Sequence, residues 1–375
     1  MKFEIDKQVI LKALTDVIKA IPAKPVLPIL TNVLLELNDK GILRLTAADG
    51  ELIALRSVVK PTSFSDPGRI TVPAKVFLEL LKTLPDVPVN FEQTDRNSFA
   101  ITAGFSEAEL PTLPAEEYIA VKNPDKEKAV VFEINSERLM EAISKTIYAV
   151  GNDGVRPVLS GLFFDLNPVL SSIVASDSRK LVKYDFPTPD VKEPASFILP
   201  AKTAAILKGV LQKETTVKIL FDESNARFAF GQNEVTTRLT VGKYPKYQTI
   251  IPTANQNIMS VKRDRLLNAL QRMAILADRK ALLTRVELNF NSAKLAAEDL
   301  SLAVRGSDTL ECDYDGEKLE IGLPVTTLLD VLSGIDADSV ELQIKNASSA
   351  VLIVPDEKER KDEPVTAIVM PHRLK

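Results

Sequence analysis

Three aspartates recur at equivalent places in the sequence, and together they are the residues that could bind a metal ion. They occur in the pairs Ala48-Asp49, Ser176-Asp177 and Glu298-Asp299. Carboxylates brought together could hold a divalent cation for hydrolysis or phosphoryl transfer. Their recurrence favours another interpretation, in which each aspartate lies where a strand turns, and Asp49-Gly50 is a hairpin signal. We therefore predict turn-forming aspartates and no metal site.

Other side chains that could do chemistry are few. Cys312 is the only cysteine, which excludes an internal disulfide and a cysteine-rich metal site. His372 is the only histidine, which excludes two-histidine zinc motifs and argues against a histidine-based triad. Ser57-Val58-Val59-Lys60 matches a serine–lysine pattern by letter but lacks its companion motifs. The sequence also lacks a glycine-rich phosphate loop. We predict that the chain is not an enzyme and binds no cofactor.

The composition is that of an ordinary globular protein. Of the 375 residues, 45% are hydrophobic and 26% charged, and the net charge is −4. No stretch approaches the roughly 18 apolar residues that a membrane span needs. The opening Met1-Lys2-Phe3-Glu4-Ile5 has no apolar signal-peptide core, so we expect a cytoplasmic protein. The net charge alone does not indicate a nucleic-acid partner.

The chain contains three copies of one domain. The copies begin at Phe3-Glu4-Ile5, Phe132-Glu133-Ile134 and Met259-Ser260-Val261. A second set of markers has nearly the same period: Val72-Pro73-Ala74-Lys75, Leu199-Pro200-Ala201-Lys202 and Leu323-Pro324-Val325-Thr326. Repeats of about 125 residues have the size of ordinary domains. We predict domains at residues 1–124, 125–254 and 255–375.

Each copy divides again into two βαβββ segments. Asp6 is a candidate N-cap, and the residues after it place apolar side chains on one helical face. Alternating strands follow, and a second strand and helix begin near Pro73, which suits the first turn of a helix. One amphipathic helix with several strands implies helices on one face of antiparallel sheets. The predicted fold class is therefore α+β.

Basic residues are concentrated on the predicted helices. The helix cores are residues 7–20, 75–83, 136–148, 202–213, 262–277 and 326–333. They carry 14 basic and 6 acidic side chains, a net +8, which leaves −12 for the rest of the chain. Solvated lysines on surface helices are the common explanation for any single helix. The segregation over five of six helices favours a shared positive side that meets a polyanion, although the sixth helix has no basic residue.

The sequence resembles the bacterial DNA polymerase III β subunit family, the processivity sliding clamps, over its whole length. The terminal Val369-Met370-Pro371-His372-Arg373-Leu374 carries the most specific match. Further matches are Leu27-Pro28-Ile29-Leu30, Val72-Pro73-Ala74-Lys75, Arg156 to Gly161, Val174 to Leu181 and Tyr244-Pro245-Lys246-Tyr247. The resemblance implies three DNA-clamp domains whose helices line a ring with antiparallel sheets outside. It also implies a processivity factor that encircles duplex DNA and slides without sequence specificity.

The implied ring is a head-to-tail homodimer. Six helices about 10 Å wide enclose an opening near 10 Å, whereas twelve enclose roughly 28 Å, enough for a duplex. By resemblance, the first domain of one chain contacts the third domain of the other, with Phe105, Ile275 and Leu276 as interface candidates. The residues that match DNA contacts of the family are Lys24, Arg156 and Lys202, and Arg156 could equally be a solvated loop arginine.

The resemblance also implies a groove between the second and third domains that takes short linear peptides. Such peptides would belong to the replicative polymerase, the clamp loader and other clamp-binding proteins. The matching residues are Leu159, Ser176, Lys180, Leu181, Pro245, Ile250, Ser349, Ile368, Val369, Met370, Pro371 and Arg373. Aliphatic side chains with a methionine make an adaptable apolar pocket. Leu159, Leu181 and Val369 could alternatively be plain core residues.

Two other classes of function stay open from the residues alone. A repeat-built nuclease or transferase would show metal-dependent turnover, for which the sequence offers no convincing carboxylate cluster. A scaffold protein without a DNA role would show no dependence on DNA topology.

Overall fold

The computed structural model describes residues 1–50, 52–94, 98–152, 154–187, 191–253, 255–362 and 364–374. The chain forms two compact units. Unit 1 comprises Met1–Met140 and Ala205–Leu239, and unit 2 comprises Glu141–Ala204 and Thr240–Lys375. Each unit therefore combines one predicted terminal domain with about half of the predicted middle domain. The predicted domain ends at Ala254 and Lys375 lie outside the described residues.

The predicted βαβββ segment occurs six times in the described residues. The first two segments are β1 Lys2–Ile5, α1 Lys7–Val17, β2 Asn32–Leu37, β3 Leu43–Ala48 and β4 Ile53–Val59, then β6 Gly68–Pro73, α2 Ala74–Thr83, β7 Val89–Gln93, β8 Ser98–Ala103 and β9 Ser106–Pro111. Between them lies an additional short strand, β5 Ser63–Asp66, which the sequence pattern does not predict because its residues are all exposed.

The remaining four segments repeat this order. The third and fourth are β10 Val130–Asn135, α3 Ser136–Thr146, β11 Gly161–Leu166, β12 Ser171–Ser176 and β13 Lys180–Phe186, then β14 Ala195–Pro200, α4 Ala201–Val210, β15 Thr216–Phe221, β16 Asn225–Phe230 and β17 Asn233–Arg238. The fifth and sixth are β18 Asn257–Lys262, α5 Arg263–Leu276, β19 Leu283–Asn289, β20 Ser292–Asp299 and β21 Val304–Glu311, then β22 Leu319–Pro324, α6 Val325–Gly334, β23 Ser339–Ile344, β24 Val351–Pro355 and β25 Val365–Val369.

The strands form two sheets in each unit, and every recorded strand pair is antiparallel. Unit 1 contains a five-stranded sheet in the order β5-β1-β7-β8-β9 and an eight-stranded sheet in the order β10-β15-β16-β17-β4-β3-β2-β6. Unit 2 contains a four-stranded sheet, β21-β20-β19-β22, and an eight-stranded sheet, β14-β11-β12-β13-β25-β24-β23-β18. This architecture confirms the predicted α+β class with antiparallel sheets.

Each eight-stranded sheet consists of two four-stranded halves, and one pair of strands joins the halves at the centre. In unit 1, β4 pairs with β17, and in unit 2, β13 pairs with β25. In both cases the last strand of an odd-numbered segment pairs with the last strand of an even-numbered segment. The corresponding strands of the remaining segments are β21 and β9, and both lie at sheet edges in the described residues.

Local residues explain where the first helices begin. The Asp6 side chain accepts hydrogen bonds from the backbone N–H groups of Gln8 at 2.8 Å and Val9 at 3.2 Å, which confirms the predicted N-cap. Pro73 lies one position earlier than the sequence predicts, since it precedes the first residue of α2 rather than occupying the first turn. Within the described residues, no helix has the length and apolar character that a membrane crossing requires.

The three recurring aspartates are turn residues, as predicted. Asp49 Oδ1 accepts hydrogen bonds from the N–H groups of residues 52 and 53, and Asp177 Oδ1 from those of residues 179 and 180. Asp299 Oδ1 does the same for residues 301 and 302. Each aspartate therefore closes the turn that follows the second strand of the three-stranded run, namely β3, β12 or β20.

A cluster of phenylalanines forms the core beneath α2. The Phe91 ring stacks between Phe3 at a centroid distance of 4.9 Å and Phe99 at 5.3 Å. Phe77, on α2, meets Phe91 edge-on at 5.8 Å. All four rings are almost fully buried. They fix α2 to the five-stranded sheet because aromatic pairs add stacking energy to the apolar area that they bury.

Replacing Phe91 by alanine should lower the free energy of unfolding by about 3–5 kcal/mol, because a large cavity would be left among closely packed rings. Chemical denaturation measures this loss. Phe290→Ala is the matched control, since that ring is 74% exposed and its removal should change stability by about 0.5 kcal/mol or less. Equal effects of the two substitutions would contradict the assignment of this core.

Candidate functional site

The residues predicted to line a peptide groove lie around the point where β13 pairs with β25 in unit 2. Lys180 lies opposite Val369 and Leu181 opposite Ile368 in the ladder. The ladder continues one residue further, because the backbone N–H of Met370 donates to the carbonyl of Arg179 at 2.9 Å. The end of β25 and the turn before β13 are therefore held together by backbone hydrogen bonds, and they position the predicted groove residues around them.

The apolar members of the predicted set form a buried layer. Leu159, Leu181 and Ile368 belong to one hydrophobic cluster. Their partners in this cluster are Val174, Ile198, Tyr244, Tyr247, Leu352 and Val354. Val369 is also fully buried. The alternative interpretation of Leu159, Leu181 and Val369 as core residues therefore agrees with their burial.

Other predicted residues form an exposed rim. The Met370 side chain is 42% exposed and Ile250 is 53% exposed. Pro245 and Arg373 are exposed, and Pro371 is half-buried. The apolar atoms of this rim face water without the covering that a core residue has, so they are available to a ligand.

The polar members of the set are tied into local hydrogen bonds and ion pairs. Ser176 Oγ donates to the carbonyl of Lys180 at 2.8 Å and accepts from the N–H of Ser178 at 3.1 Å. Lys180 Nζ lies 3.3 Å from both Asp177 Oδ2 and Asp330 Oδ2, and only 11% of its side chain is exposed. Ser349 is half-buried, and its backbone N–H donates to Asn346 Oδ1 at 2.8 Å.

Two tyrosines that the sequence resemblance does not assign to the groove, Tyr244 and Tyr247, belong to the same buried cluster as Leu159, Leu181 and Ile368. The Phe163 ring stacks on Tyr244 at 4.6 Å and meets Tyr247 edge-on at 6.2 Å. Tyr247 Oη donates to Asp165 Oδ2 at 2.7 Å. Burial raises the pKa of both phenols, and the Asp165 carboxylate raises the pKa of Tyr247 further. Both therefore stay neutral near pH 7. The matched segment 244–247 was the only sequence signal for them.

The three predicted DNA contacts are exposed. Lys24 lies in the connection between α1 and β2, Arg156 precedes a short 3-10 turn at Pro157–Leu159, and Lys202 lies in the first turn of α4. Lys24 belongs to unit 1, and the other two belong to unit 2.

Part of the positive charge counted on the helices is not available to a partner. The prediction that Lys7 adds to the accessible positive charge is wrong, because Lys7 is buried and its ammonium donates to the carbonyl of Leu84 at the end of α2. Lys19 Nζ pairs with Asp16 at 3.2 Å, and Arg272 Nε donates to Asp308 at 2.8 Å. The sequence count misses these pairings because their partners follow from the fold.

A smaller basic set remains exposed on the helices. Its members are Lys12, Lys75, Arg138 and Lys208. In the part of the chain that the structure describes, none of the four is recorded in an ion pair. These side chains carry the positive potential that the helices can offer to a polyanion.

The predicted interface residues differ in their surroundings. Phe105 is fully exposed at the turn between β8 and β9, and Ile275 is 81% exposed near the end of α5. Leu276 is half-buried and lies over Gly306 of β21, where an added Cβ would come 2.4 Å from Leu276 Cδ1. Phe105 thus lies in the turn before the edge strand β9, and Leu276 lies beside the edge strand β21.

Comparisons with known proteins agree with the segment pattern. Models of the DNA polymerase III beta subunit match the chain with the N-terminal domain at residues 1–122, the central domain at 133–246 and the C-terminal domain at 248–373. The beta sliding clamp of Haemophilus influenzae is 30% identical over 378 residues, covering 100% of both chains. The crystal structure of the DNA polymerase sliding clamp from Pseudomonas aeruginosa with ligand covers 100% of both chains at 27% identity, with a TM-score of 0.93. On this likeness in sequence and fold, the chain belongs to the DNA polymerase III beta subunit family.

Proposed function

We propose that this chain is a DNA polymerase processivity factor. Two copies assemble head to tail into a ring that encircles duplex DNA, slides along it and tethers the replicative polymerase. The chain itself supplies no catalytic group. The observation that carries the proposal is the position of β9 and β21 at sheet edges in this member of the family. The equivalent strands of the other segments, β4, β13, β17 and β25, are paired inside the two eight-stranded sheets.

The edges support a closed dimer because each copy offers one edge of each kind. A heterologous contact of β9 with β21 of a second copy uses two different surfaces, and two such contacts close a ring if the rotation permits. Helices then line the opening and the sheets lie outside. The predicted DNA contacts Lys24, Arg156 and Lys202 contact phosphates without reading bases, together with the exposed basic set on the helices, Lys12, Lys75, Arg138 and Lys208.

The groove in unit 2 is the proposed site for partner peptides. Its buried layer is closed by Leu159, Leu181 and Ile368, so a ligand meets the exposed apolar atoms of Met370, Ile250 and Pro245 instead. A methionine at the rim adapts to different apolar or aromatic side chains. This arrangement suits a site that must accept the polymerase, the clamp loader and other clamp-binding proteins in turn.

Topological retention tests the ring. Once a clamp loader has placed the protein on nicked circular DNA, it should stay bound through gel filtration and should be lost after the circle is cut. Blocking both ends of the cut DNA with a tightly bound protein should restore retention. A scaffold without a DNA role, or a protein that binds phosphates without encirclement, would show equal loss from circular and linear DNA, and that result would contradict the proposal.

Met370→Asp should weaken the binding of a labelled peptide with an apolar or aromatic end by roughly tenfold or more, because the substitution places a charge on an apolar rim. Fluorescence anisotropy measures this affinity. Deleting residues 370–375 should abolish polymerase stimulation while leaving dimers intact. Val169→Asp, on a side chain that is 88% exposed in the same unit, is the matched control and should leave binding unchanged. Loss of dimers in either groove variant would show that the groove assignment is wrong.

Replacing Ile275 and Leu276 by lysine should convert the dimer into folded monomers, because charges would enter a contact that excludes water. Light scattering measures the mass, and circular dichroism checks the fold. Phe290→Lys changes another exposed apolar residue of unit 2 and should leave the dimer unchanged. A dimer that persists with Ile275 and Leu276 both replaced would refute the interface assignment.

A further inference from the structure

Exposed basic side chains accompany the apolar rim of the groove in unit 2. The segments around this rim are residues 177–180, 243–250 and 370–374, and together they contain five lysines or arginines and one acidic residue. The whole chain, by contrast, has a net charge of −4. Four of these basic side chains are exposed, and we call them the basic border: Arg179, Lys243, Lys246 and Arg373.

The basic border lies beside the exposed apolar side chains in two places. Arg179 is joined to Met370, because the backbone N–H of Met370 donates to the Arg179 carbonyl at 2.9 Å. Lys246 immediately precedes the short 3-10 helix that ends at Ile250. The Lys246 carbonyl accepts a hydrogen bond from Thr249 Oγ1 at 2.8 Å, which closes this turn. A basic residue is therefore held next to each of the two exposed apolar side chains.

The charge of the border is not neutralised by an ion pair recorded in the part of the chain that the structure describes. The acidic groups around the groove have other partners. Asp177 and Asp330 both pair with Lys180, each at 3.3 Å. Asp165 accepts a hydrogen bond from Tyr247 at 2.7 Å. The border therefore offers positive charge to a ligand.

The turn that carries Arg179 is fixed by hydrogen bonds. Asp177 Oδ1 accepts from the backbone N–H groups of Arg179 and Lys180, both at 2.8 Å. Between them, Ser178 has a φ of 75°, in the left-handed region that favours glycine. This conformation costs backbone energy, which the surrounding bonds offset, among them the one from the Ser178 N–H to Ser176 Oγ at 3.1 Å. Arg179 thus sits on a rigid turn, which lowers the ordering cost of a contact with a ligand.

We propose that the basic border selects peptides whose apolar end is flanked by aspartate or glutamate side chains. The inference rests on the proposed peptide groove and names the class of peptide that it takes. The apolar side chains of the peptide contact Met370 and Ile250, while its carboxylates face Arg179 and Lys246. A single C-terminal carboxylate can face only one of these two basic residues, so side-chain carboxylates are the ligand groups that match the border.

The expected selectivity is moderate and depends on salt. One exposed ion pair changes an affinity by roughly two- to fivefold, so the contacts of Arg179 and Lys246 together should give about tenfold. The preference should shrink as salt is added, because exposed charges are screened. The apolar contacts with Met370 and Ile250 should change little with salt, since burial of apolar surface does not depend on charge.

Paired peptides test the selectivity. Two fluorescent decapeptides with amidated ends each contain one leucine–phenylalanine pair, flanked on both sides by two aspartates in one peptide and two asparagines in the other. In fluorescence anisotropy at low salt, the aspartate peptide should bind about tenfold more tightly. Arg179→Gln with Lys246→Gln should bring the two affinities within about twofold. Lys294→Gln, at an exposed lysine on the four-stranded sheet of unit 2, is the matched control and should keep the preference.

A charge reversal separates recognition from a structural role. Arg179→Glu with Lys246→Glu should bind a peptide with lysine flanks more tightly than the aspartate peptide, because the complementary charges are then exchanged. A variant whose groove was merely damaged would lose both peptides. The asparagine peptide with a free C-terminal carboxylate should bind like its amidated form, and clearly tighter binding would assign the charge preference to the chain end and overturn the inference.

The remaining outcomes are equally decisive. Equal affinities of the unchanged chain for the aspartate and asparagine peptides would overturn the inference while leaving the groove in place. A preference that survives in the Arg179→Gln and Lys246→Gln double variant would also overturn it, because other residues would then be responsible. Failure of every peptide to bind the unchanged chain would instead contradict the proposed groove itself.

Discussion

The outer backbone of an edge strand carries N–H and C=O groups without partners, and the pairing of such edges organises this chain. In each domain-sized repeat, the last strand of the first βαβββ segment and the last strand of the second are the ones that can pair with another segment. Within the units these edges pair as β4 with β17 and β13 with β25, which turns separate sheets into continuous ones. The equivalent strands β9 and β21 lie at sheet edges in the described residues, so their outer backbone groups are open to pairing.

The fold reduces the positive charge that the helices present to solvent. The helices carry an excess of basic residues, but Lys7 is buried and Lys19 and Arg272 are paired, so the accessible surplus is smaller than the sequence count. A modest set of exposed lysines and arginines is consistent with the proposed sliding, in which phosphate contacts are exchanged.

The residues of the candidate groove divide into a buried layer that stabilises the fold and an exposed rim that is proposed to bind peptides. Leu181 and Ile368 lie opposite each other on paired strands and close the hydrophobic core. Met370 follows directly after β25 and is held by a backbone hydrogen bond to Arg179, so its exposed side chain sits on a rigid support. A rigid support with an adaptable rim reduces the ordering cost of binding while allowing several partners.

The sequence alone determined the six βαβββ segments, the turn role of the recurring aspartates and the family resemblance. These features are local, because strand alternation, helical periodicity and Asp6 as a cap depend on neighbouring residues. Only the tertiary structure decided that Lys7 is buried, that Tyr247 donates a hydrogen bond to Asp165, and that β9 and β21 lie at sheet edges while their equivalents β4, β13, β17 and β25 are paired. Those facts depend on residues far apart in the chain, and periodicity carries no information about which distant backbone groups meet.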